Sequence, residues 1–195
     1  DMGAWHSKVK RIGLMILEFC YQLITVVRPR HSNVVLGLVT VVFVGATTPP
    51  IAKQMIKSSF AAQRPVLMVL GDSLVAGHGL PQGEAFPEIL GQMLQNDGVD
   101  VRIINAGVSG DTTAGGLARL DWSLADNPDA AIIVLGGNDL LRGLDPSASF
   151  ANLDKIITEL KTRNIAVLLA GMQAPRNFGA DYADEFDSIY QRLVN

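Results

Sequence analysis

The stretch Met68–Leu80 reads MVLGDSLVAGHGL, and the fold turns on how it is read. It completes an apolar run, Val66–Leu70, bounded by Pro65 and Gly71. A short continuous apolar run between breakers marks a strand buried on both faces, as in a parallel sheet. The run stops abruptly on Gly71-Asp72-Ser73 and enters a loop with three more glycines, Gly77, Gly79 and Gly83. In open α/β sheets ligands bind outside the carboxyl ends of the strands, so a polar pair at that point deserves a chemical explanation.

Working outward, the same pattern repeats. Phe86, Ile89, Leu90, Met93 and Leu94 recur at helical spacing, which predicts an amphipathic helix over Glu84–Asn96 with Met93 on its core face. VDVRIINAG supplies a second strand ending near Asn105, and DTTAGGLARLDWSLAD a helix capped by Asp111 or Thr112. AAIIVLGG is a third buried strand, and Asp145-Pro146 has the chemistry of a helix start. Phe150, Leu153, Ile156, Ile157 and Leu160 line one face of that helix. IAVLLAG is a fourth strand, and Phe186, Ile189, Tyr190 and Leu193 mark a last helix. Strands alternating with helices predict an α/β fold, a parallel sheet with helices on both faces.

The chain has 195 residues, 48% hydrophobic and 18% charged, with net charge −3. That is enough for one domain with a real core, and the acidity offers nucleic acid no electrostatic purchase. A single cysteine, Cys20, excludes an internal disulfide, and no ligand spacing suggests a metal. The first 64 residues differ in character. RPRHSNVVLGLVTVVFVGATTPP has arginines, an apolar run Val34–Ala46 and a small-x-small site at Val44-Gly45-Ala46, the layout of a secretory signal. The alternatives are an uncleaved anchor and a soluble core helix. Upstream, Ile12–Val27 is apolar but carries Glu18, and residues 47–64 read as a linker. Residues 1–64 are thus a signal or anchor segment with its linker, and 65–195 the folded domain. Export to the periplasm or medium is expected, or inner-membrane anchoring facing the periplasm, with N-terminal membrane contact as a further option.

Three strand ends carry unusual residues: Gly71-Asp72-Ser73, NAGVSGDTT (Asn105–Thr113) and GGNDLLRG (Gly136–Gly143). Each has a plain reading. Gly-Asp-Ser is an ordinary turn and cap. Gly107 and Gly110 are turn glycines with positive φ. Asn138 bridges a loop, Asp139 caps the next turn, and His78 is a rim residue. Met172 and Pro175 are loop residues within reach of a ligand. Taken in order, each after a strand, the three segments are far more specific than their parts.

GDSLVAGHGL, SGDTTAGGLARL and LGGNDLLRG resemble the motifs of the GDSL (SGNH) hydrolase family, and within it the bacterial periplasmic thioesterase, arylesterase and lysophospholipase group. The resemblance covers Pro65–Asn195. It implies a three-layer flavodoxin-like fold with strand order 2-1-3-4-5, the fifth strand missing here. It also implies a serine esterase or thioesterase acting on small acyl ester or thioester substrates as a monomer, with no cofactor, no metal and no nucleic acid. Ser73 matches the family's nucleophile, Gly110 the glycine of its second motif and Asn138 the asparagine of its third. The chemistry supports these roles: attack on a carbonyl gathers negative charge that preorganised donors stabilise. The N–H groups of Ser73 and Gly110 and the Asn138 amide are such donors. Asp72, and Asp139 likewise, are read as structural carboxylates that fix their own loops.

A serine nucleophile needs a base. The family's fourth motif, Asp-x-x-His, lies beyond one more strand, and no histidine follows His78. The chain is therefore expected to be a fragment carrying nucleophile and oxyanion donors without the base. Two readings compete with the main one: a carbohydrate O-deacetylase of the same family, and a ligand-binding domain that kept the fold without the chemistry. A nucleotide-binding domain would need GxGxxG or GxxxxGK[ST], which GDSLVAG does not supply.

Overall fold

A computed structural model describes residues 64–194. The expectations for the N-terminal segment and most of its linker lie outside them. Four strands, β1 (Val66–Gly71), β2 (Arg102–Gly107), β3 (Ala130–Val134) and β4 (Ala166–Leu169), form one sheet in the order β2-β1-β3-β4. Every pairing is parallel. The first four strands of the expected order are thus as predicted, with β1 central and β2 and β4 outermost.

Seven α-helices accompany them among the described residues: α1 (Ser73–Ala76), α2 (Phe86–Asn96), α3 (Thr113–Ala118), α4 (Leu120–Ser123), α5 (Gly137–Leu141), α6 (Pro146–Thr162) and α7 (Ala180–Leu193). A 3₁₀ turn, Arg176–Phe178, precedes α7. Alternation along β1 splits the core into two clusters. Met68 and Leu70 join Ala131 and Ile133 under α6 and α7, where Leu153, Ile156, Leu160, Phe186 and Ile189 are buried. Leu67 and Val69 join Ala130 and Ile132 under α1 and α2, with Val75, Leu90 and Leu94. Apolar clusters on both faces make three layers, and each fully buried Leu or Ile contributes on the order of 2 kcal/mol of burial.

Several details differ from the sequence reading. In α2 the buried stripe is Pro87, Leu90 and Leu94, while Ile89 and Met93 are exposed. Helical spacing defined an apolar face wider than the sheet covers. The second strand runs on to Gly107 because it stays paired with Gly71. The single helix expected after it is two, α3 and α4, broken at Arg119 (φ −102°, ψ 7°). Thr112 caps α3, its hydroxyl accepting from the Gly115 N–H at 3.2 Å. Asp145 caps α6 as expected, accepting from the Ser147 N–H at 2.9 Å with Pro146 in the first turn.

Candidate active site

The carboxyl ends of β1, β2 and β3 lead into the three loops singled out by sequence, and hydrogen bonds tie these loops together. Ser73 opens α1, half-buried, directly after the buried Asp72. One Asp72 oxygen accepts the Leu74 N–H at 3.0 Å, the N-capping role foreseen for it. The other accepts from Asn138 Nδ2 at 3.1 Å, a contact between two loops that sequence did not reveal. The same nitrogen donates to the Asp111 carbonyl at 2.9 Å. Asn138 therefore joins the residue before Ser73 to the residue after Gly110. An amide nitrogen carries two hydrogens, so both are committed within the protein here. For this amide to hold an oxyanion, one of those bonds must be shared or exchanged.

Gly110 has φ +86°, the left-handed conformation expected of a turn glycine, and its carbonyl accepts from the Arg142 guanidinium at 2.9 Å. Gly107 does not share that conformation. Its requirement is steric: a Cβ there would lie 2.2 Å from the Ala76 backbone nitrogen. The bare backbone lets the end of β2 sit against α1, which carries Ser73. After β3, Gly136 (φ +120°) leaves room for the Tyr190 hydroxyl, which a Cβ would approach to 2.3 Å. That hydroxyl donates to the Leu135 carbonyl at 3.0 Å, and burial pushes its pKa well above the usual phenol value. Helix α7 thereby supports the turn leading to Asn138.

Asp139 does not fix its own loop. It is buried and reaches across to the start of α3, accepting the Thr113 N–H at 2.8 Å and the Thr113 hydroxyl at 2.6 Å. The Ser149 hydroxyl of α6 donates to it at 3.1 Å, and Asn152 Nδ2 donates to the Thr113 hydroxyl oxygen at 3.1 Å. A carboxylate in the core must be hydrogen-bonded, and the free donors of a helix start supply part of that need. Asp111 likewise caps nothing. Its carboxylate pairs with Arg119, which also binds the Gly71 and Ala106 carbonyls. Arg119, Thr113, Ser149 and Asn152 were missed by sequence reasoning. The only available signal was a charge at Arg119 between the inward-facing Leu117 and Leu120.

His78 is exposed, and its link to Ser73 runs through backbone: its N–H donates to the Ser73 carbonyl at 3.1 Å. Met172 is half-buried, its sulfur 3.6 Å from where a Gly137 Cβ would sit, while Pro175 is exposed. Leu74, next to Ser73, and Val108, Leu141, Leu144 and Phe178, on the loops and turns that follow the strands, are all exposed. The Tyr182 hydroxyl donates to the Leu144 carbonyl at 2.9 Å, and Phe178 and Tyr182 pack ring to ring at 5.6 Å between centroids.

Comparison with known proteins agrees with this geometry. Residues 69–195 match the GDSL-like Lipase/Acylhydrolase family. The chain is 43% identical over 129 residues to an arylesterase of Vibrio mimicus, covering 66% of this chain and 64% of that protein. It is 39% identical over 141 residues to esterase TesA of Pseudomonas aeruginosa, covering 72% of this chain and 69% of the relative. It thus spans about two thirds of the length of these curated relatives. Among solved structures it resembles AlinE4, an SGNH-hydrolase family esterase, with 51% identity and a TM-score of 0.66 over 68% of this chain and 72% of that one. With three motif loops tied together at one edge of a parallel sheet and a family match across most of the described residues, the chain belongs to the GDSL-like lipase/acylhydrolase family.

Proposed function

We propose that the protein is a serine esterase or thioesterase that hydrolyses short and medium acyl esters or thioesters through an acyl-enzyme on Ser73. One observation carries the reading: a single side chain, Asn138, bonds both to Asp72 beside Ser73 and to Asp111 beside Gly110. The loops bearing nucleophile and oxyanion donors are therefore held at one point. In the reaction the Ser73 oxygen attacks the acyl carbonyl and charge collects on the carbonyl oxygen. Ser73 opens α1, and the first N–H groups of a helix have no helical acceptor, so its N–H is one donor. The Gly110 N–H is a second. The Asn138 amide is a third, sharing with the oxyanion the longer of its two bonds, the one to Asp72. Collapse of the tetrahedral intermediate expels the alcohol or thiol, and water releases the acid.

The exposed apolar side chains on these loops suit an acyl chain, and the relatives named arylesterase and esterase TesA point the same way. The general base is proposed to be a histidine supplied by the part of the relatives' length that this chain does not span. His78, on the loop leaving Ser73, is not assigned that role. The Arg-flanked apolar run and Val44-Gly45-Ala46 support export, with a mature form beginning near Thr47. Amino-terminal sequencing of periplasmic protein from a Gram-negative host tests this, and full-length protein in the cytosol would contradict it.

The decisive experiment uses the full-length protein. Turnover of p-nitrophenyl butyrate and covalent labelling by a fluorophosphonate are expected, and Ser73→Ala should abolish both. Unchanged turnover in that variant would reject Ser73 as the nucleophile. Turnover abolished by His78→Ala would instead make His78 the base.

A further inference from the structure

Arg119 lies outside all the roles assigned so far, yet its guanidinium holds four acceptors. Its side chain is 17% exposed and its pair partner Asp111 16%. Nε donates to Asp111 Oδ2 at 2.5 Å, and Nη1 to the Ser123 hydroxyl at 3.1 Å. Nη2 donates to two backbone carbonyls, Gly71 at 3.0 Å and Ala106 at 2.9 Å. A guanidinium presents five donors in a planar fork, so one side chain can hold several acceptors in fixed relation; an ammonium is a compact point charge and cannot span them.

The acceptors are not scattered. Gly71 is the last residue of β1, two before Ser73. Ala106 is the last residue but one of β2, in register with Leu70. Gly71 O also accepts the Val108 N–H at 3.0 Å, so the loop running to Gly110 begins on the same carbonyl. Asp111 follows Gly110, and its own carbonyl holds the Asn138 amide at 2.9 Å. One cation thus fixes the strand end behind the nucleophile and the loop behind the second donor. It also fixes the residue that orients the third. The position has a structural cost, since α3 and α4 are broken at Arg119.

We infer that Arg119 is a positioning residue: by clamping Gly71, Ala106 and Asp111 it sets the mutual placement of the Ser73, Gly110 and Asn138 donors. The inference rests on the esterase reading above. A misplaced donor weakens stabilisation of the oxyanion, which exists only in the transition state, so the loss belongs to kcat rather than to KM. A merely structural arginine would lower stability and leave the kcat of the folded fraction alone.

The test compares Arg119→Lys and Asp111→Asn with wild type in the full-length protein, with Ser73→Ala in parallel. For Arg119→Lys we expect kcat reduced about tenfold or more, KM within twofold and a cooperative thermal transition. Asp111→Asn should lose less, because an amide oxygen still accepts, and the double variant should lose less than the product of the two. Should Arg119→Lys fail to fold, Asp111→Asn carries the same comparison. The side-chain ¹H–¹⁵N resonances of Asn138 give a readout independent of turnover and should shift in both variants. If Ser73→Ala is dead while Arg119→Lys and Asp111→Asn keep kcat within twofold, Arg119 is not a positioning residue. If Ser73→Ala remains active, the esterase reading falls, and unmoved Asn138 resonances in Arg119→Lys would then overturn this inference separately.

Discussion

Replacing Thr113 by valine keeps shape and volume while removing one hydroxyl. The residue is fully buried at the start of α3. Its backbone N–H would still reach Asp139, but the 2.6 Å bond from its hydroxyl to the same carboxylate would vanish. A hydrogen bond to a charged group contributes about 1.5–3 kcal/mol. The hydroxyl also accepts from Asn152 Nδ2 at 3.1 Å, and leaving that half-buried amide without its acceptor adds up to about 1 kcal/mol. The expected loss is therefore about 2–4 kcal/mol, a large fraction of the roughly 5–15 kcal/mol that holds a typical domain together. Thr113→Ser makes the opposite trade: it keeps the hydroxyl and loses one methyl, about 1 kcal/mol. Urea unfolding followed by circular dichroism should show a lowered midpoint at constant m-value, with valine the worse of the two. A valine variant within about 0.5 kcal/mol of wild type, or more stable than the serine variant, would refute the claim that the Asp139 network holds these helices together.

Three further outcomes are expected. Gly107→Ala should destabilise by about 1–3 kcal/mol or more, measured by thermal melting, because the atom its Cβ meets at 2.2 Å is backbone of α1 and no rotamer change relieves it. Asn138→Ala should lower kcat by roughly 10²–10³ with far less effect on KM, measured by steady-state ester hydrolysis; normal kcat with weakened binding would mean that Asn138 only positions substrate. Tyr190→Phe should cost about 1–2 kcal/mol by leaving the Leu135 carbonyl unpaired. The Tyr190 pKa is raised in the fold, chiefly by burial, so its contribution is complete below the ordinary phenol value of about 10 and is lost as pH rises beyond it. Unfolding titrations should show wild type losing stability on that alkaline limb more steeply than the variant.

Most of the sheet was legible because buried parallel strands are written as apolar runs between breakers. Val66–Leu70 and Ala130–Val134 could hardly be anything else, and they fix where the loops emerge. The donor candidates were legible for the same reason, since they stand at strand ends. Local signals also worked where the cause is local, as at the Asp145 cap. What stayed hidden depends on groups far apart in the chain. Nothing around Asp139 announces Thr113, 26 positions earlier, and nothing around Gly107 announces the backbone of α1. Met93 failed for a related reason: periodicity gives the direction of a helix face but not how much of it a neighbour covers.

The acidic residues of the three loops share a physical task that their positions in the motifs conceal. Asp72, Asp111 and Asp139 each stand beside a residue proposed for the chemistry, and each carboxylate is held by donors from another segment or from its own loop. Asp72 receives a backbone N–H and the Asn138 amide, Asp111 receives a guanidinium, and Asp139 receives a backbone N–H and two hydroxyls. Backbone carbonyls could not replace them, because a carboxylate offers two oxygens that can accept from different directions and bind charged donors more strongly. Each carboxylate therefore links two segments at once: the nucleophile loop to the third loop, the second loop to the strand ends through Arg119, and the third loop to α3 and α6. Oxyanion donors are effective when they are in place before charge develops and need not reorganise. Loops alone are the mobile parts of a fold. Three carboxylates that cross-link them at the sheet edge turn those loops into a stiff frame, and the frame leaves the Asp72–Asn138 bond as the contact an oxyanion would have to share.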